Sequence, residues 1–173
     1  MENKMKKIII LLMISFCFTD TNIGWVDSQY IFNQLEETRE AQVQIEKRQN
    51  KLESDLMDMV GKRDSLIKDY QAKAPLMSPE MQKNKEGEIL GFEKEIEMFQ
   101  MQKMGPEGEL YTYYAQLVAP IEKKILAAIE KVGNAKGYDY ILDSSRGGIV
   151  HALDSHKLDE DVLEELRKGS TSE

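Results

Sequence analysis

The most extended signal along the chain runs from Ser28 to Ala74, where there is no proline and only one glycine, Gly61. This predicts a single helix of about 47 residues, roughly 70 Å long at 1.5 Å per residue. Alternate steps of four and three from Ile31 pass through Leu35, Thr38, Gln42, Ile45, Gln49, Leu52, Leu56, Met59, Arg63, Leu66 and Tyr70. The apolar seam is narrow and interrupted by Thr38, Gln42, Gln49 and Arg63. Such a stripe packs against one or two neighbouring helices rather than covering a globular core. Pro75 should end the helix, because a residue before proline is pushed out of the helical region. Ser78-Pro79-Glu80 then restarts one, with Ser78 as N-cap, Pro79 in the first turn and Glu80 at the positive end of the dipole.

The returning helix carries Ile89, Phe92, Ile96 and Phe99 at helical spacing, meets a break at Gly105-Pro106-Glu107-Gly108, and resumes through Leu110, Tyr113, Tyr114 and Leu117. Beyond a bend at Pro120 it continues through Ile121, Ile125, Ala128 and Val132 to Gly137. Ahead of the first helix, Ile23-Gly24-Trp25-Val26-Asp27 reads as a short strand, with Ser28 as the helix cap. After the last long helix, Tyr138 to Asp143 reads as a strand, with Gly148 to Leu153 as its hairpin partner across Ser144 to Gly147. Asp159 should cap a final helix, stapled by Leu158 and Leu163.

The fold class expected is therefore α+β in the order β-α-α-β-β-α: a small β-sheet body with a long two-helix coiled-coil hairpin arm. Strands from opposite ends of the chain should meet in one sheet. The domain reading is a signal peptide at 1–21, a body formed by 22–28 and 118–173, and a helical arm at 29–117.

Lys4, Lys6 and Lys7 precede the apolar run Ile8 to Phe18, interrupted in polarity only by Ser15. Eleven residues suit the core of a signal peptide and are too few to span a bilayer. Cleavage is expected between Thr19 and Asn22, giving an exported mature protein. Cys17, the sole cysteine, leaves lipid anchoring open as an alternative, although Phe16 stands where a small residue should precede it. An uncleaved tether is a further alternative.

Composition narrows the function classes. The chain has 173 residues, 31 Asp and Glu against 23 Lys and Arg, and a net charge of -8. Loss of residues 1–20 removes three lysines and two acids, taking the charge from -8 to -9. Without a dense basic stripe, nucleic-acid binding has no electrostatic footprint. One cysteine excludes an intramolecular disulfide. His151 and His156 are five apart, off the helical metal-binding spacing, with no carboxylate cluster to complete a site. Asp139 and Asp143 invite comparison with an acid/base pair, yet a small sheet more often leaves such groups solvated. Ser144-Ser145-Arg146-Gly147-Gly148 lacks the lysine and spacing of a phosphate loop. No cofactor, metal or catalytic residue is expected, and the protein is not read as an enzyme.

Methionine carries the most information. Met57, Met59, Met77, Met81, Met98, Met101 and Met104, seven of the ten, fall between positions 57 and 104. Its flexible, polarizable side chain suits a surface that accommodates many partners, although methionine also fills helix seams. Met57, Met59, Phe92, Met98, Phe99 and Met101 are the candidate residues for binding such partners. Gly87 and Gly91 would loosen the returning helix.

Three segments, Ile23-Gly24-Trp25-Val26-Asp27-Ser28, Leu117-Val118-Ala119-Pro120-Ile121-Glu122-Lys123-Lys124-Ile125 and Gly137-Tyr138-Asp139-Tyr140-Ile141-Leu142-Asp143, followed by a short acidic helix, resemble the Skp/OmpH family of periplasmic chaperones. The resemblance covers the mature chain in order. It implies a jellyfish-like homotrimer whose three arms enclose a cavity for unfolded outer-membrane proteins, without ATP. Trp25, Val26, Tyr140, Leu142 and Ile149 would form the body and its contacts between subunits, because arms with so narrow a seam need a common base. Family arms are often strongly basic, whereas Lys68 to Glu88 balances four lysines with four acids. That balance argues against attraction to anionic membrane lipid or lipopolysaccharide. The function expected is an ATP-independent periplasmic holdase for unfolded β-barrel precursors. The rival is a structural or scaffolding coiled coil of the envelope, which would consume its seam in packing its own helices.

Overall fold

A computed structural model describes residues 21–170. The expected export signal and Cys17 lie outside the described residues. The elements are β1 (Ile23–Val26), α1 (Ser28–Gln34), α2 (Glu36–Lys73), a 3₁₀ turn (Ala74–Leu76), α3 (Pro79–Phe99), a π-helical turn (Gln100–Met104), α4 (Glu109–Lys136), β2 (Tyr140–Asp143), a second 3₁₀ turn (Asp154–His156) and α5 (Asp159–Ser170). They form two compact units, Phe32–Lys124 and the two flanking stretches taken together.

In the first unit, α2 and α3 form the hairpin that the prolines predict. The Ser78 hydroxyl accepts from the Met81 N–H at 3.3 Å, and Pro79 occupies the first turn of α3. Gln82 donates its side-chain amide to the Ala74 carbonyl at 2.7 Å, tying the turn to the new helix. Further polar pairs zip the unit in antiparallel order. Tyr70 meets Glu86, Arg48 meets Glu109, Gln44 meets Tyr113, and Glu37 meets Lys124. Gly105 closes the π-helical turn, and a Cβ there would lie 2.4 Å from the Met101 carbonyl oxygen, so only glycine fits.

The single long helix expected from Ser28 is instead two. Leu35 is extended at φ -80, ψ 138, and α2 begins after it with Glu36 and Glu37 in its first turn. Two carboxylates at a helix N-terminus favour a start there through the dipole, a local signal that an unbroken run of helix formers conceals. The interruption also re-phases the seam. Ala41, not Gln42, is buried, and Arg48, not Gln49, turns inward to pair with Glu109. Gln42 and Gln49 are exposed, so the stripe from Thr38 to Leu52 is less broken than the sequence suggests.

In the second unit, β1 and β2 pair in parallel, Ile23 with Tyr140 through Val26 with Asp143. Strands from opposite ends of the chain thus meet, as expected. α4 ends in a Schellman motif: Gly137 is left-handed at φ 71, and the Tyr138 N–H donates to the Gly133 carbonyl at 3.0 Å. Val26, Ile31, Ile125, Ala128, Val132, Leu158, Val162, Leu163 and Leu166 form the apolar interior of this unit. Gly24 lies under Leu158 and Tyr138, where a Cβ would come within 2.8 Å of the Leu158 side chain.

The hairpin partner expected at Gly148 to Leu153 is absent, leaving a two-stranded sheet. Consecutive left-handed glycines, Gly147 at φ 79 and Gly148 at φ 91, turn the chain away from β2. Val150 is fully exposed, so within one chain the alternating pattern has no apolar layer to cover. Two caps also differ from expectation. Asp27 rather than Ser28 caps α1, accepting from the Tyr30 N–H at 2.9 Å. Asp159 stands in the first turn of α5, and its carboxylate accepts from the Asp27 N–H at 2.8 Å, across the unit.

Candidate functional site

On the hairpin unit, helical spacing divides the apolar side chains between two faces. Leu52 and Ile96 are buried, with Met59, Ile89, Phe92 and Phe99 half-buried beside them. Met57, Met98 and Met101 point elsewhere and are 72%, 48% and 66% exposed. Of the candidate client-binding residues, then, these three offer open apolar surface, while Met59, Phe92 and Phe99 share theirs with the seam. Met81 and Leu76 add exposed apolar area at the hairpin turn, a contribution that the sequence reading missed. The signal was present in Ala74-Pro75-Leu76-Met77-Ser78-Pro79, whose proline-bounded turn has no partner helix to cover it.

Closer to that turn, α2 and α3 bound a groove of about 310 Å³, lined by Ile67, Tyr70 and Gln71 from one helix and Glu86, Ile89, Leu90 and Glu93 from the other. The Tyr70 hydroxyl donates to Glu86 Oε1 at 2.5 Å. That bond to the carboxylate, reinforced by its charge, raises the tyrosine pKa above its usual range.

On the other unit, pleating sorts the sheet residues into two faces. Gly24 and Val26 turn inward, and Val26 is buried in its own chain. Enclosed in this way, Val26 packs the interior of the body. Ile23 is exposed on the other face with Tyr140 at 62% and Leu142 at 47%. Trp25, by alternation, lies on that face too, half-buried, and donates its indole N–H to the Leu153 carbonyl at 2.9 Å. Ile149 is half-buried in the turn region beyond β2. Ile23 was missed in the sequence reading, although period-two alternation from Trp25 points to it.

Two carboxylates organise the polar side of this unit. Asp143 accepts from the Ser28 hydroxyl at 2.6 Å, the Ser28 N–H at 3.2 Å, and the Ser145 N–H and hydroxyl at 3.0 and 2.8 Å. Partial burial pushes its pKa up, but these bonds to the charged form outweigh that and hold it below the usual carboxylate range. Asp159 is buried and pairs with Lys157 at 3.0 Å. The Lys157 ammonium lies 5.1 Å from the Trp25 ring centre and 5.6 Å from that of Tyr30. Its bond to Asp159 raises its pKa. Asp139 binds the Asn22 N–H at 2.8 Å, so Asp139 and Asp143 each serve the backbone of the N-terminal segment rather than one another.

Among the described residues no group of His, Cys, Asp and Glu has metal-binding geometry, and no helix is long and apolar enough to cross a membrane.

The profile of the family described as outer membrane protein (OmpH-like) matches residues 22–166. The chain belongs to the OmpH-like family. A crystal structure from Caulobacter crescentus CB15, described as that of a candidate outer membrane chaperone (OmpH-like), has a similar fold. Its TM-score is 0.72 at 11% identity, over 86% of this chain and 85% of that one. No curated protein matches. At that identity the likeness is one of fold, and the OmpH-like architecture tolerates nearly complete replacement of its side chains.

Proposed function

We propose that the protein is an ATP-independent, non-catalytic holdase of the periplasm that keeps unfolded outer-membrane β-barrel proteins from aggregating. The observation that carries this reading is the open apolar surface of Met57, Met98 and Met101 on a hairpin whose own seam is filled by other residues. A scaffold would have consumed these side chains in packing. Flexible thioethers in many weak contacts hold a client without selecting one structure for it. Release then follows when the client buries its own apolar surface elsewhere.

The working form we propose is a homotrimer assembled through the sheet face of Ile23, Trp25, Tyr140 and Leu142, with Ile149 beside it. Support comes from the exposure of large apolar side chains on that face, which a lone chain leaves in water. The free edge of a two-stranded sheet and the uncovered Val150 point the same way. The test is the aggregation of an unfolded barrel protein diluted from denaturant, followed by light scattering with and without the purified protein. Suppression at near-stoichiometric amounts, without nucleotide, is expected. Unchanged scattering would refute the reading.

A further inference from the structure

The groove between α2 and α3 is apolar along its floor and acidic at its rim. Ile67, Ile89 and Leu90 supply the floor with the Tyr70 ring, while Glu86 and Glu93 are the ionisable carboxylates that line it, and no lysine or arginine does. Glu86 is met only by the neutral Tyr70 hydroxyl, and Glu93 pairs with no cation among the described residues. Three other carboxylates on the same helices do meet cations, Asp69 with Lys73, Glu88 with Lys85 and Asp64 with Arg63, but none of these lines the groove. Two uncompensated carboxylates seven residues apart, with Ile89 and Leu90 between them, face one open cavity.

We propose that this groove is a subsite for segments of an unfolded polypeptide in which an aromatic or large aliphatic side chain neighbours an arginine or lysine. The proposal rests on the chaperone reading and gives it a chemical preference. A volume of about 310 Å³ accommodates one large side chain with its neighbour's aliphatic stem. The cationic head of that neighbour then reaches Glu86 or Glu93 while its methylenes lie along Leu90. An acidic segment would bring like charges to the same rim. Tyr70 holds one Glu86 oxygen in place and leaves the other free.

The test measures fluorescence anisotropy of two labelled peptides on the purified protein in low salt, one alternating tyrosine with arginine and one alternating tyrosine with glutamate. The arginine peptide should bind more tightly. In Glu86→Gln/Glu93→Gln its affinity should fall about three- to tenfold, as two partly exposed ion pairs allow. Helix content should not change, since Glu and Gln have similar propensity. Tyr70→Phe, which removes the hydroxyl and keeps both charges, should retain most of the preference. Equal affinity for both peptides, or an unaltered preference in the double variant, would overturn the proposal. So would a double variant that changes the sedimentation of the protein but not its peptide affinity, because the groove would then be filled by a second copy of the chain. Failure of the chaperone reading itself is separately visible: the wild-type protein would bind neither peptide nor suppress aggregation.

Discussion

Replacing Met57, Met98 and Met101 together by Gln removes the open apolar surface of the hairpin while leaving its seam intact. The three side chains together expose about two side chains' worth of area, judged from their individual exposures of 72%, 48% and 66%. Complete burial of a methionine side chain is worth about 1.5–3 kcal/mol, so a client covering all of that area would gain about 3–6 kcal/mol from it. A loose complex covers a fraction at any moment. If that fraction is about one third, the loss is about 1–2 kcal/mol, or about 5- to 30-fold in apparent affinity. Gln keeps the unbranched shape and the helix propensity, so the thermal midpoint should move little. The assay is titration of a labelled, urea-unfolded barrel protein, with a parallel melt by circular dichroism. Unaltered client affinity in a folded triple variant would refute the reasoning and place the binding surface elsewhere, with the exposed Leu76 and Met81 next in line. A lowered midpoint with retained affinity would show that these side chains pack the protein itself.

Four other outcomes follow from the geometry. Tyr140→Asp or Leu142→Asp should leave the chain folded, since both are exposed, but convert a trimer to monomer in sedimentation, because a charge in an apolar contact is costly. Thr38→Val should raise stability by about 1 kcal/mol in urea unfolding, because the buried Thr38 hydroxyl finds no hydrogen-bond partner. Asp159→Ala should lower stability by about 2 kcal/mol in the same assay, as it strands the Asp27 N–H and frees Lys157 from its place over Trp25 and Tyr30. Asp143 has a lowered pKa, so its stabilisation is present above the unfolded-state value near 3.8 and is lost as pH falls through the folded-state value. Asp143→Asn should therefore melt lower than wild type at pH 7, with the gap narrowing below about pH 4.

Punctuation by proline and glycine was legible in the sequence wherever the backbone itself imposes the conformation. Ser78-Pro79, Gly105 and Gly137 mark ends that the structure contains, because a hydroxyl cap, lack of space for a Cβ and left-handed φ act locally; at Pro75 the α-helix gives way to a 3₁₀ turn, but Ala74 before it stays helical at φ -50, ψ -42, against the expectation. The break at Leu35 was hidden because neither neighbour is a helix breaker; the two glutamates that begin α2 are also ordinary helix residues. Seam register failed for a related reason, since a step of three or four from Thr38 reaches either Ala41 or Gln42, and the small residue was passed over. The strand at Gly148 to Leu153 shows the limit of alternation, which reports that one face wants cover and not what provides it. Asp27, Ser28, Asp143 and Asp159 were unreadable as a network, because their partners lie 115 to 132 residues away. Among the surface residues, exposure separated Met57, Met98 and Met101 from Phe92 and Phe99, a division that composition alone cannot make.

The parallel pairing of β1 with β2 also sets an order of events in time. Asn22 and Asp139, bonded at the foot of the sheet, are 117 residues apart, so during synthesis from the N-terminus the first strand emerges long before its partner. Closing such a span directly is slow, whereas the turn at Ser78 lies between helices already adjacent in sequence. Once the hairpin has zipped as far as Glu37 and Lys124, the stretch left to close falls to about 30 residues, two halvings worth about 0.6 kcal/mol each in closure entropy. The hairpin thus acts as a splint for the sheet, and Val26, buried in the finished unit, must wait uncovered until it has formed.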